Sequence, residues 1–231
     1  MTIVEERLAT LDTTELKHGS HNAGSGEYCM VEYASWLRGN DKPDDHDEIV
    51  DPVIAAFCRS WNDSLPEGGE ALARLKFYAP RIIGTASNTE VLDARSWLAC
   101  DWLVRVCTPT WLRLAELEDG AVALEALPPM TSIELADAAL PVIEKARKAA
   151  FAKRDKARAA EAAWLAGAAE AAGAAWAAGA AGAAGIAGAA GIAGAAGAAL
   201  APTVLALQES AFDLLDRIID KITTTTTTSR S

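Results

Sequence analysis

Proline is missing from sixty consecutive residues, 142–201, and charge from thirty-eight, 171–208. Most of that stretch repeats one unit. From Arg158 to Ala199 the chain falls into fourteen X-Ala-Ala triplets, whose second position departs from alanine only at Leu165, Ile186 and Ile192. A run of this kind holds no nucleophile and no metal-ligating set, so anything selective belongs to roughly the first 130 residues. The missing proline excludes collagen, which needs proline-biased X and Y positions and three chains. A three-residue repeat steps round a helix by about 300° per unit, so the X positions spiral and form no stripe. A coiled-coil seam, with its 3.5-residue period, is excluded with it.

Other absences narrow the field. The four cysteines (29, 58, 100 and 107) form no CxxC pair and no secretory framework. Cys100 and Cys107, seven apart, share a helix face and are expected in the core. The N-terminus, MTIVEERLATLDTTELK, is acidic and lacks an apolar h-region, so no signal peptide is expected and a reducing cytoplasm is the expected setting. Basic residues are outnumbered, 21 against 32, for a net charge of −11. That balance argues against nucleic acid, which needs a basic surface. One local reversal lies at 144–158, net +5 from Lys145, Arg147, Lys148, Lys153, Arg154, Lys156 and Arg158 against Glu144 and Asp155. It reads as a solvated helix face.

No period-two alternation occurs anywhere, and the fold class expected is all-α: a compact N-terminal helical domain, a long Ala/Gly-rich helical segment and a C-terminal amphipathic helix. The divisions are an arm (1–16), a Trp-rich helical domain (17–118), a linker (119–130), the long tract (131–200), an amphipathic association helix (201–222) and a disordered Thr-rich tail (223–231). Within the domain, a helix runs from a Ser25 cap to Gly39. A second opens at Asp51-Pro52, a capping side chain followed by proline in the first turn. A third covers 70–78 and stops at Pro80. A fourth, about Glu90–Cys107, buries Leu98, Trp102 and Val106 and carries the favourable pair Asp101–Arg105. Thr131 with Glu134 opens the long tract as a capping box.

Nine glycines between 167 and 197 each cost about 1 kcal/mol against alanine in a helix. The front of the tract, Arg158–Trp176, is therefore expected to be helical and Gly179–Gly197 marginal. A triplet expansion tolerated as a helical spacer is the preferred reading, and the Thr223–Thr228 run is a second sign of one. The alternative is a membrane span over 171–208, a length that crosses about 30 Å of hydrocarbon. Weakly apolar alanine and glycine, and the lack of aromatic belts, make it the lesser reading. Beyond Pro202, Val204, Leu207, Ala211, Leu214, Leu215, Ile218 and Ile222 form an apolar stripe opposite Glu209, Asp213, Asp216 and Asp220. That stripe needs a face to bury against: the tract, the N-terminal domain, a protein partner or a second copy in a homo-oligomer.

Candidate chemistry is sparse, and no catalytic or cofactor-binding residue is assigned. His18 and His21 stand in the loop HGSHNAGSG, followed by Cys29, Glu32 and His46. Imidazole, thiolate and carboxylate suit zinc or iron, although the spacing matches no established ligand rhythm. A Cys–His nucleophile pair is the weaker chemical reading; incidental structural roles are the bland one. The loop lacks the Lys-Ser/Thr of a P-loop. The acidic loop 41–51 lacks the spaced ligands and glycine of a calcium site.

Three stretches, LKHGSHNAGSGEYCMVEYASWLRG (16–39), DPVIAAFCRSWNDSLP (51–66) and ARSWLACDWLVRVCTPTWLRLA (94–115), carry a family likeness. With the alanine-triplet tract and ALAPTVLALQESAFDLLDRII (199–219) they resemble uncharacterised proteins of actinobacteria and their bacteriophages. The resemblance implies a high-GC host and a cytosolic or phage-encoded product, and it carries no activity. Such relatives often fill the X positions with Asp, Arg and Trp, where this chain has mostly glycine. The expected function is a non-enzymatic protein-interaction or self-association module, with a metal-binding protein or metal-dependent enzyme as the alternative.

Overall fold

The computed structural model describes residues 3–22, 24–42, 49–157 and 201–226. Among them every extended element is a helix, and one isolated parallel bridge, Leu16 to Tyr28, is the sole strand-like pairing. The all-α expectation holds. The helices are α1 (Glu5–Leu8), α2 (Met30–Leu37), α3 (Pro52–Ser64), α4 (Glu70–Leu75), α5 (Ala79–Ile82), α6 (Thr89–Trp102), α7 (Thr108–Leu114), α8 (Glu118–Glu125), α9 (Ile133–Ala157) and α10 (Ala201–Thr226).

Local chemistry sets several helix starts. Asp51 caps α3 as expected, accepting from the Val53 and Ile54 N–H groups ahead of Pro52. The Asn88 side chain caps α6 through Val91 N–H. Helix α2 does not begin at Ser25, because Gly24 (φ 81°) and Gly26 (φ 77°) hold the chain in left-handed turns. It begins at Met30, with Cys29 as the cap. The chain also does not stop at Pro80. A 3-10 turn at Lys76–Tyr78 leads into α5, whose first turn accommodates the proline. The residues expected as a linker, 119–130, contain most of α8, with Ala121 and Leu124 buried. Ser132, rather than Thr131, supplies the oxygen at the head of α9.

Helices α6 and α7 form one nearly continuous rod interrupted by a π-helical turn at Leu103–Cys107. Pro109 accounts for it. Its ring would clash with the Arg105 carbonyl four residues back, and it brings no N–H to that carbonyl. Widening the preceding turn relieves both problems. The rod's face rotates as a result: Trp102 is buried, but Val106 is 38 % exposed against expectation. Asp101 and Arg105 do pair, at 3.1 Å.

Two cores lie along this rod. The larger draws on α2, α3, α4, α5, α6 and α10, and the smaller gathers Val104, Leu112, Ala121, Leu124 and Met130 against an alanine-rich face of α9. The Trp-rich domain is therefore incomplete without α10, which packs on α6 and α3. Val204, Leu207, Ala211, Leu214, Leu215 and Ile218 of the expected association stripe are all buried in the larger core, and Phe212 joins them at 1 % exposure. The ring of Phe212 lies 4.5 Å from Trp61 and 5.6 Å from Tyr78, with the Arg74 guanidinium 3.8 Å above it. Of the faces open to that stripe in the sequence, this fold uses the N-terminal domain. The association helix is thus no separate unit. Helix α10 also runs through Thr226, four residues into the stretch expected to be a disordered tail.

The expected spacer, 158–200, lies outside the described residues. No helix among the described residues is long and apolar enough to cross a membrane. Residues 201–208, the end of the alternative span, form the first turns of α10, with Val204 and Leu207 in the core.

Candidate functional site

The polar cluster picked out in the sequence assembles round one carboxylate. Cys29 caps α2 by accepting from Glu32 N–H at 3.5 Å, while Glu32 Oε2 accepts from Cys29 N–H at 2.8 Å. This is a capping box with a thiol in place of the usual hydroxyl. The same Oε2 takes the His21 Nδ1–H at 2.8 Å. Oε1 takes the His21 backbone N–H at 2.7 Å and a long bond from Ser20 Oγ at 3.5 Å. Glu32 thus receives four donors while only 2 % exposed.

Bonds beside it tie the same loop, Lys17–Tyr28, to α3 and to the head of α2. Asn62, at the end of α3, donates to the Lys17 carbonyl at 2.7 Å and accepts from Met30 N–H at 3.2 Å. Asp63 accepts from Gly19 N–H, and His18 Nε2 donates to the Leu65 carbonyl at 2.7 Å. His18 also faces Glu67, with Nδ1 3.9 Å from its Oε1. His21, Cys29 and Glu32 therefore come together, His18 stands on the other side of the loop, and His46 lies outside the described residues.

Burial alone pushes the Glu32 carboxyl upward. The backbone donors of His21 and Cys29, then the His21 side chain and its charge, together outweigh it, and the group titrates below the ordinary glutamate range. Burial and the neighbouring Glu32 charge push the Cys29 thiol up to about 12 despite opposing backbone hydrogen bonds. Burial likewise raises Cys58 and takes Cys100 to about 11 and Cys107 to about 12. Burial thus keeps the Cys29 thiol in its neutral, less nucleophilic form. Among the described residues no three His, Cys, Asp or Glu side chains are arranged to hold a metal ion. With Nδ1–H donated to Glu32, Nε2 is the ring atom of His21 that is left for any other partner.

A concavity lies between α8 and α9, about 370 Å³ in volume. Glu116, Glu118, Asp119 and Lys145 line its polar side, and Leu117 and Val142 its apolar side. Two of these four charges are engaged in ion pairs, Glu116 with Lys153 at 2.8 Å and Glu118 with Arg113 at 3.2 Å. In the sequence its walls were divided among the Trp-rich domain, the linker and the long tract, so nothing local marked this cleft.

Comparison with known protein families, with curated protein sequences and with solved structures finds no match.

The Glu32 hub predicts an acid-sensitive fold. A carboxyl with a depressed folded-state pKa stabilises the native state above its unfolded value of about 4.3, and that contribution fades as pH falls through the folded value. Glu32→Gln should lower stability by about 1.5–3 kcal/mol at pH 7, the range for hydrogen bonds to a charged group. It should also flatten the acid limb of the stability profile. Urea unfolding of both proteins between pH 7 and 3 checks this; parallel profiles would show that Glu32 does not hold the loop through its charge.

Proposed function

We propose that the chain is a non-enzymatic helical interaction module. One body, residues 3–157 with α10 folded back into it, carries the tract 158–200 by both of its ends. The observation that supports this reading is the docking of α10. The helix beyond the tract completes the core that begins before the tract, so the repeat is an excursion from one body and not a tether between two. The conspicuous polar groups support it as well, since Glu32, Asn62, Asp63 and His18 are spent on fastening a loop. The likeness to actinobacterial and bacteriophage proteins adds a host setting to the proposal and no reaction.

A second reading keeps a metal, zinc or iron, on His21. What favours it is the carboxylate-held Nδ1–H, the arrangement that orients metal-bound imidazoles in metalloproteins. Elemental analysis of the full chain purified without chelator separates the two. The interaction module predicts no stoichiometric zinc or iron. One equivalent of metal, lost in His21→Ala, would overturn it in favour of the second reading.

A further inference from the structure

We propose that the groove closed by α10 also accepts the α10 of a second copy, so that two chains exchange this helix and dimerise. The inference rests on the interaction-module reading and names its partner.

The contacts that hold α10 all reach residues early in the chain. Phe212 packs on Trp61 and Tyr78. Arg74 binds Glu209 at 2.7 Å, Arg81 binds Asp216 at 2.5 Å, and Trp102 Nε1 donates to Ser210 Oγ at 3.1 Å. Arg95 Nε donates to the Ile218 carbonyl at 3.0 Å. None of these bonds depends on the covalent path between the two sides. An α10 arriving from another molecule would make every one of them.

The path itself is long, 43 residues from Arg158 to Leu200. Even wound as an α-helix, that many residues span about 65 Å. A globular body of under 200 residues has a radius of gyration of about 16 Å, or roughly 40 Å across. The connection is long enough to serve a neighbour's groove as well as its own. Closing a loop loses entropy as its length grows, and a long linker holds its end at an effective concentration of about a millimolar or less. Docking in cis therefore wins in dilute solution, and the exchanged pair gains as chains refold in concentrated solution. Exchange of an identical element builds a dimer with no new interface, so a stripe buried in one chain is compatible with association.

The test is refolding of the full chain from urea at about 1 µM and at about 500 µM, the first far below the crossover and the second near it. Both samples are then diluted to one low concentration and their mass is followed by light scattering. Exchange predicts a dimer fraction that is larger in the concentrated sample and that survives dilution for hours, because reversal requires α10 to leave the core. Monomers from both samples would overturn it. So would a dimer that dissociates on mixing, which would be a surface contact and would leave the interaction-module reading standing. Stoichiometric metal would remove that reading and leave the refolding result unchanged.

Discussion

Arg95→Ala is expected to destabilise the protein by about 3–5 kcal/mol, the cost of leaving one partner of a buried ion pair alone. Arg95 and Asp51 are both fully buried, with Nη1 2.6 Å from Oδ2. The same Nη1 donates to the Thr85 carbonyl at 2.7 Å, and Ser87 Oγ donates to Asp51 at 3.1 Å. Nε holds Ile218 of α10. One guanidinium therefore joins the head of α3, the loop before α6 and the last helix. Removing it strands the Asp51 charge in the interior and frees a carbonyl of α10. Asp51 also caps α3, so the double variant Arg95→Met, Asp51→Asn should recover part of the loss, since Asn keeps the cap without the charge. Urea unfolding measures both; a cost below about 1 kcal/mol for Arg95→Ala would mean that the pair is not uncompensated when broken.

A chain ending at Leu200 should lose its cooperative fold altogether. Helix α10 contributes Val204, Leu207, Phe212, Leu214, Leu215, Ile218 and Ile219 to the larger core. Burying one such side chain stabilises by about 1.5–3 kcal/mol, and a whole domain is stable by only about 5–15 kcal/mol. Truncation also uncovers Trp61 and Tyr78, which Phe212 covers. The expected product keeps far-UV helical signal, loses near-UV tryptophan signal and binds ANS. A sharp thermal transition at the parent temperature would show that α10 is an appendage after all. The milder Phe212→Ala should cost about 3–5 kcal/mol and leave the fold in place.

Legibility in the sequence depended on how far apart the partners lie. Asp51-Pro52, the Asp101–Arg105 pair and the stripe of α10 were all readable, because each signal sits within a few residues or one helical period. The site was readable in part. Cys29-x-x-Glu32 has the spacing of a capping box, hidden because cysteine is an uncommon cap, and His21 joins it only through the loop's folding. The Asp51–Arg95 pair, 44 residues apart, left no local trace. Nor did the destination of the α10 stripe, since periodicity shows which face is buried and not against what. Helix α8 was hidden by Asp119-Gly120, a turn signal that the packed environment overrides: a Cβ on Gly120 would sit 3.5 Å from Leu112 and 3.7 Å from Ala146, in ordinary contact. The π turn had its cause in view, at Pro109, although a proline inside a helical pattern reads first as a stop.

The α6–α7 rod is shared by both cores, and adjacent residues divide between them, Leu103 in the larger and Val104 in the smaller. Helix α9 is fastened to that rod through the smaller core and α10 through the larger. Any tension along 158–200 is thus delivered at both ends to the same axle. Releasing both ends of the repeat from that axle therefore means opening two hydrophobic cores.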